Sequence, residues 1–137
     1  MRNPVTETRA AEPARAAEHF AALLEFETDC WDTHAALDAG ADDIVVLDVR
    51  GPDAYAAGHV PGAINLPHRK IVERTIADFP TGVTFVVYCA GPHCNGADKA
   101  ALRIARLGRP VKKMIGGVTG WIDEGFELVD GPEPEEA

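Results

Sequence analysis

The residues best suited to covalent chemistry are three cysteines, Cys30, Cys89 and Cys94, and two of them share one short segment, Cys89-Ala90-Gly91-Pro92-His93-Cys94-Asn95-Gly96. It follows the apolar run Val83 to Tyr88 and precedes a helical pattern from Ala97 to Leu107. That is a strand passing through a Gly/Pro turn into a helix. A thiol at this junction faces the unpaired first-turn N–H groups of the helix and the curled amides of the loop, both of which favour negative charge. The thiol is then held as a thiolate, the nucleophilic form. By position alone, Cys89 reads equally well as a small buried hydrophobe. Asn95 stands where a helix cap belongs, with Asp98 three residues on.

The elements that must hold this loop alternate along the chain. A helix is expected from Ala14 to Leu24, where Ala17, Phe20, Ala21 and Leu24 recur at helical spacing. Glu25 to Thr28 suits an edge strand, and Asp29 can cap a helix that runs through Leu37 and ends at Gly40. Ile44 to Val49 is a β-branched run interrupted only by Leu47 and Asp48, as in a strand covered on both faces. A one-turn helix over Asp53–Ala57, a Pro-Gly turn at 60–63 and a short strand at Ile64–Leu66 follow. A helix is expected from Lys70 to Phe79, then the strand Val83–Tyr88 and the helix Ala97–Leu107. A strand Val111–Ile115 broken by Gly116-Gly117 and a last helix Val118–Glu124 with Trp121 inward complete the pattern. Such alternation predicts an α/β domain built on a parallel sheet with helices on both faces. Sites in such folds lie at the carboxyl ends of strands, which points to Asp48 onward and Cys89 onward.

Composition narrows the function classes. The 137 residues suit one domain, and 46% hydrophobic with 26% charged residues is an ordinary globular balance. Thirteen Lys and Arg against 22 Asp and Glu give a net charge of -9. That balance argues against partners such as nucleic acid or an anionic membrane. No apolar run approaches the ~18–20 residues of a membrane span, and the first twenty residues lack the apolar core of a secretory signal. Three cysteines without a signal fit a reducing compartment, so a cytoplasmic location is expected. No ligand spacing suggests a metal site. Residues 1–24 are expected to form an extension carrying the first helix, residues 25–129 the folded domain, and 130–137 (DGPEPEEA) a solvated acidic tail.

The stretch Leu47-Asp48-Val49-Arg50, then Tyr55, then Gly58-His59-Val60-Pro61-Gly62-Ala63-Ile64-Asn65-Leu66-Pro67, resembles the opening signature of rhodanese domains. The cysteine after a strand, followed in order by Gly108, Gly116-Gly117, Trp121 and Gly125, resembles its second half. The resemblance covers about residues 25–129. It implies a rhodanese-like fold around a central five-stranded parallel sheet, in single-domain form. It also implies a sulfurtransferase whose loop cysteine, at Cys89, takes a sulfane sulfur as a persulfide from a small donor such as thiosulfate. The sulfur then passes to a thiol or cyanide-type acceptor, and no cofactor is required.

Two departures from the family pattern stand out. The loop has no Arg or Lys before Lys99, so a dianionic donor is expected to rest on loop amides and the helix dipole alone, with His93 as the one titratable base. The distance from Cys89 to Gly108 also exceeds the common spacing by about two residues. Cys94 is either a spectator or a resolving thiol that attacks a Cys89 persulfide or forms a reversible disulfide. Ala90, Gly91, Pro92, His93, Cys94, Asn95 and Gly96 are the expected substrate-binding residues. Asp48 and Arg50 are expected to pair at the strand end, and His59 to bond backbone in the Gly58–Gly62 turn. Gly116 and Gly117 are expected to give the chain room beside the loop. Cys30 reads as structural, and His19, His34 and His68 form no ligand set. The competing class is a non-catalytic, sulfur-relay or redox binding module. Phosphatase chemistry wants Arg at the sixth position after the cysteine, where Asn95 stands.

Overall fold

The structure, a computed structural model, describes residues 3–133. Five parallel strands form one sheet in the order β1-β5-β4-β2-β3. They are β1 (Glu27–Thr28), β2 (Ile44–Asp48), β3 (Ile64–Asn65), β4 (Thr84–Tyr88) and β5 (Val111–Met114). The helices are α1 (Pro13–Phe26), α2 (Cys30–Asp38), α3 (Pro52–Ala57), α4 (Glu73–Ile76), α5 (Gly96–Arg106) and α6 (Gly117–Asp123). Central strands β2 and β4 are apolar at successive positions because both faces are covered. Leu47, Val49, Phe85, Val87 and Cys89 point into one core with Ile71, Ile76, Ala100 and Ile104. The alternate positions Val46, Val86 and Tyr88 point into the other, with Cys30, Met114 and Trp121.

Local rules account for most element ends. The Asp29 side chain accepts from the Asp32 amide and starts α2. Gly40 and Gly108 adopt positive φ just after α2 and α5. The structure differs from the expectations in three places. The helix expected over residues 70–79 is broken into a 3-10 turn (His68–Lys70) and the short α4. Val72 is extended between them, at φ -138° and ψ 171°, because Ile71 and Ile76, five apart, both enter the core. On α1, Phe20 and Leu24 remain 61% and 73% exposed despite their helical spacing. Of the acidic tail, residues 134–137 lie outside the described residues. Glu133, within them, accepts a hydrogen bond from the Asn65 amide. Among the described residues, no helix is long and apolar enough to cross a membrane.

Candidate active site

The adjacent carboxyl ends of β2 and β4 form the floor of the site. At the β2 end, Asp48 is fully buried, and its carboxylate accepts from the Arg50 guanidinium at 2.7 Å, the Arg50 amide at 3.0 Å and the Tyr88 hydroxyl at 2.8 Å. Burial first, then Asp48, holds the Tyr88 hydroxyl far above its ordinary pKa, so it stays a donor. It also accepts from the Val60 amide, and Arg50 donates to the Gly58 carbonyl at 2.6 Å. The three residues thereby pin the start of the 58–63 turn to both central strands. His59 is buried beneath them. Its ring stacks on Tyr55 at 3.6 Å and its Nδ1 meets the Tyr55 carbonyl in α3, upstream of the turn expected to hold it.

At the β4 end, Cys89 is 6% exposed and is joined to Cys94 by a disulfide, with Cα atoms 6.3 Å apart. The Cys94 amide donates to the Gly91 carbonyl at 3.0 Å, which curls the loop and turns Cys94 back over the strand end. Gly96, the first residue of α5, lets the helix press against both sulfurs. A Cβ added there would lie 3.0 Å from Cys89 Sγ and 3.4 Å from Cys94 Sγ. Among the described residues, the amides of Ala90, Gly91, His93 and Asn95 donate to no acceptor. These unpaired donors suit an anion. Asn95 occupies the cap position, yet its side chain makes no capping bond. Asp98 pairs with Lys113 at 2.9 Å instead of completing a capping box.

The loop is held from behind by the backbone of α6. Val118 and Thr119 amides donate to the Cys89 and Ala90 carbonyls, each at 3.1 Å. This approach requires Gly117, at φ +58°, where a Cβ would fall 2.8 Å from the Gly91 nitrogen. Gly116, also at positive φ, starts α6. Gly117→Ala is therefore expected to displace the loop and cost about 1–3 kcal/mol. Urea unfolding checks the cost, and loss of Cys89–Cys94 pairing in the folded variant would report the displacement.

Two cavities flank the disulfide. One, of about 470 Å³, has Cys89, Ala90, Cys94, Asn95 and Gly96 on one wall, Arg50 and Gly51 on another, and His68 and Arg69 on a third. Hydrogen bonds from the Leu66 and His68 amides to the Asp48 and Val49 carbonyls bring this third wall against β2. The other cavity, of about 580 Å³, reaches Gly91, Pro92, Cys30 and Lys113. His93 is exposed and lines neither; its ring lies over Gly91. Besides the loop amides, Arg50 and Arg69 line the sulfur-bearing cavity; the Arg50 guanidinium is held by Asp48, while Arg69 pairs with no carboxylate among the described residues. Both lie far from the loop in sequence, and Arg69 belongs to the basic triplet His68-Arg69-Lys70, separated from the end of β3 by two residues. A basic run after a strand's carboxyl end is the signal that locates it.

Cys30 stands apart from this chemistry. Burial, with Asp29 and Glu124 nearby, pushes its thiol up to about 11. Its sulfur donates to the Ile115 and Gly117 carbonyls. Native, reduced protein at pH 8 should alkylate at Cys89 and Cys94 well before Cys30, as read by peptide mapping after iodoacetamide. Equal labelling of all three would contradict this.

Comparison with known proteins places this architecture. The family model described as the Rhodanese-like domain matches residues 32–124. The chain is 34% identical over 104 residues to the thiosulfate sulfurtransferase GlpE of Pseudomonas entomophila, covering 74% of this chain and 84% of that protein. It is 38% identical over 92 residues to the HTH-type transcriptional regulator Rv0324 of Mycobacterium tuberculosis, a match covering 66% of this chain but 40% of the regulator. Among solved structures, the BH2092 protein of Bacillus halodurans superimposes with a TM-score of 0.84 at 39% identity, over 87% of each chain.

Proposed function

The chain belongs to the rhodanese-like domain family, whose sulfurtransferase-named members are among its relatives, and we propose that it moves a sulfane sulfur from a small anionic donor such as thiosulfate to a thiol or cyanide-type acceptor through a Cys89 persulfide. The observation that carries this reading is the position of Cys89. It lies at the carboxyl end of β4, against the first turn of α5, beneath unpaired loop amides and beside a cavity walled by Arg50 and Arg69. In the first half-reaction the Cys89 thiolate attacks the outer sulfur of the donor. The donor S–S bond breaks and sulfite leaves with its electron pair. The guanidinium of Arg69 and the loop amides hold the donor's charge. In the second half-reaction the acceptor attacks the outer persulfide sulfur and the Cys89 thiolate departs.

The disulfide supports a second element of the reading, a resolving role for Cys94. Its thiolate can attack Cys89 Sγ of the persulfide, which releases hydrosulfide and closes the Cys89–Cys94 bond. An external dithiol then reopens it. The oxidised protein is inactive in this scheme because its nucleophile is already bonded. Sulfite release from thiosulfate should therefore be abolished by mild oxidation and restored by dithiothreitol. Cys94→Ala should keep the initial activity but lose the reversible protection, with Cys89 over-oxidised irreversibly by peroxide. Equal turnover by fully oxidised and fully reduced protein would overturn the reading.

Arg69→Ala tests the donor site. It is expected to raise KM for thiosulfate about tenfold, the ~1.4 kcal/mol of one charge-assisted contact, with the fold unchanged. An unaltered KM would place the donor on the amides alone.

A further inference from the structure

A second groove, of about 640 Å³, runs from the site along the outer face of α5. Its cationic lining is Arg69, Lys99, Arg103 and Arg106, four of the 13 Lys and Arg in a chain of net charge -9. Among the described residues none of the four pairs with a carboxylate. Helix electrostatics explains only part of this. Arg103 and Arg106 lie in the last turn, where the dipole favours cations, but Lys99 lies near the opposite end and Arg69 on another element. The apolar lining residues Val72 and Leu102 are 38% and 50% exposed between these charges.

Lys99, Leu102, Arg103 and Arg106 fall at helical spacing on one face, so the row spans ~10 Å at 1.5 Å per residue. A small oxyanion is held by donors that converge on a point. Cations spread along a helix with apolar side chains between them fit an extended segment that itself mixes acidic and apolar residues. The groove shares His68 and Arg69 with the cavity at the disulfide. His68 marks the junction. Burial first, then Lys99, Arg69 and Arg103, holds its pKa below the ordinary value, and its Nδ1 is buried without a partner.

We infer that this groove docks an acidic, apolar-bearing segment of the protein that accepts sulfur from Cys89. The inference rests on the sulfurtransferase reading for what the partner does, and on the groove alone for its binding. In the docked complex the partner's thiolate attacks the outer sulfur of the Cys89 persulfide, the S–S bond breaks, and the Cys89 thiolate leaves.

The test uses two fluorescein-labelled peptides that each end in one cysteine. One alternates Glu and Leu along its length, and the other has Gln in place of every Glu. By fluorescence anisotropy with the full chain, the Glu peptide should bind at least about tenfold tighter at low salt, and added salt should shrink the difference. The triple variant K99E/R103E/R106E should lose at least about tenfold in affinity for the Glu peptide while transfer from thiosulfate to a small thiol is unchanged. Leu102→Ser should weaken the same peptide several-fold with no change of charge. Equal binding of the two peptides, or no effect of the triple variant, would overturn the inference. Displacement of the bound Glu peptide by equimolar inorganic pyrophosphate would also overturn it, in favour of a small-anion site. Binding that the triple variant loses, with no sulfur transfer by any protein, would support the docking site and overturn only the sulfurtransferase reading.

Discussion

Cys89→Ser is expected to lower sulfur transfer from thiosulfate by at least about a thousandfold, since a hydroxyl at that position is neither ionised nor able to form a persulfide. The comparison belongs under reducing conditions. Under oxidising conditions the variant also lacks the Cys89–Cys94 link, and closing so short a loop is itself worth about 2 kcal/mol in the chain-entropy picture. The reduced variant should remain folded and unfold at a somewhat lower urea concentration than reduced wild type, a loss of about 1–2 kcal/mol, because a hydroxyl replaces a thiol in a buried, largely apolar site. Cys94→Ser makes the matching control, losing the disulfide but retaining first-turnover sulfur uptake. Retention of wild-type sulfite release by Cys89→Ser would remove Cys89 from the chemistry.

The largest expected effect on stability comes from Asp48→Ala. The carboxylate is fully buried and receives the Arg50 guanidinium, the Arg50 amide and the Tyr88 hydroxyl. Without it, a largely buried guanidinium is left with the Gly58 carbonyl alone and no counter-charge, and a buried hydroxyl loses its acceptor, a cost of about 3–5 kcal/mol. Asp48→Asn keeps one acceptor oxygen and should cost about half as much. Tyr88→Phe removes only the hydroxyl bridge to Asp48 and the Val60 amide, for about 1–2 kcal/mol. Urea midpoints at constant slope check this order. A smaller loss for Asp48→Ala than for Tyr88→Phe would contradict the account of how the β2 and β4 ends are tied together.

Much of the scaffold is legible in local pattern. The runs Ile44–Val49 and Val83–Tyr88 lie on the strands β2 and β4, apolar at nearly every position but Asp48 and Thr84 because helices cover both faces. The carboxyl-end rule leads directly to Asp48 and Cys89. The misses share a physical origin. The 70–79 segment carries helical spacing, but Ile71 and Ile76 are both drawn into the core, and the helix breaks at Val72. Asn95 has the right type and position for a cap, yet its side chain makes no capping bond at a helix start that closes over the disulfide. Arg69 lines the sulfur-bearing cavity only because β3 and the segment after it fold back along β2, whereas the Arg50 guanidinium, also lining that cavity, is held by Asp48. Loop composition alone pointed to His93, which lies outside both cavities. Spacing within one segment predicts what that segment can form, while site electrostatics here depends on segments twenty or more residues apart.

The most direct test of the account is the intact mass of the reduced protein after brief incubation with thiosulfate and removal of excess donor. A Cys89 persulfide gives a gain of one sulfur atom per chain, located by peptide mapping at Cys89, absent from Cys89→Ser and removed by a thiol. An unchanged mass in fully reduced protein, or the added sulfur on Cys94 or Cys30 with Cys89 bare, would contradict it.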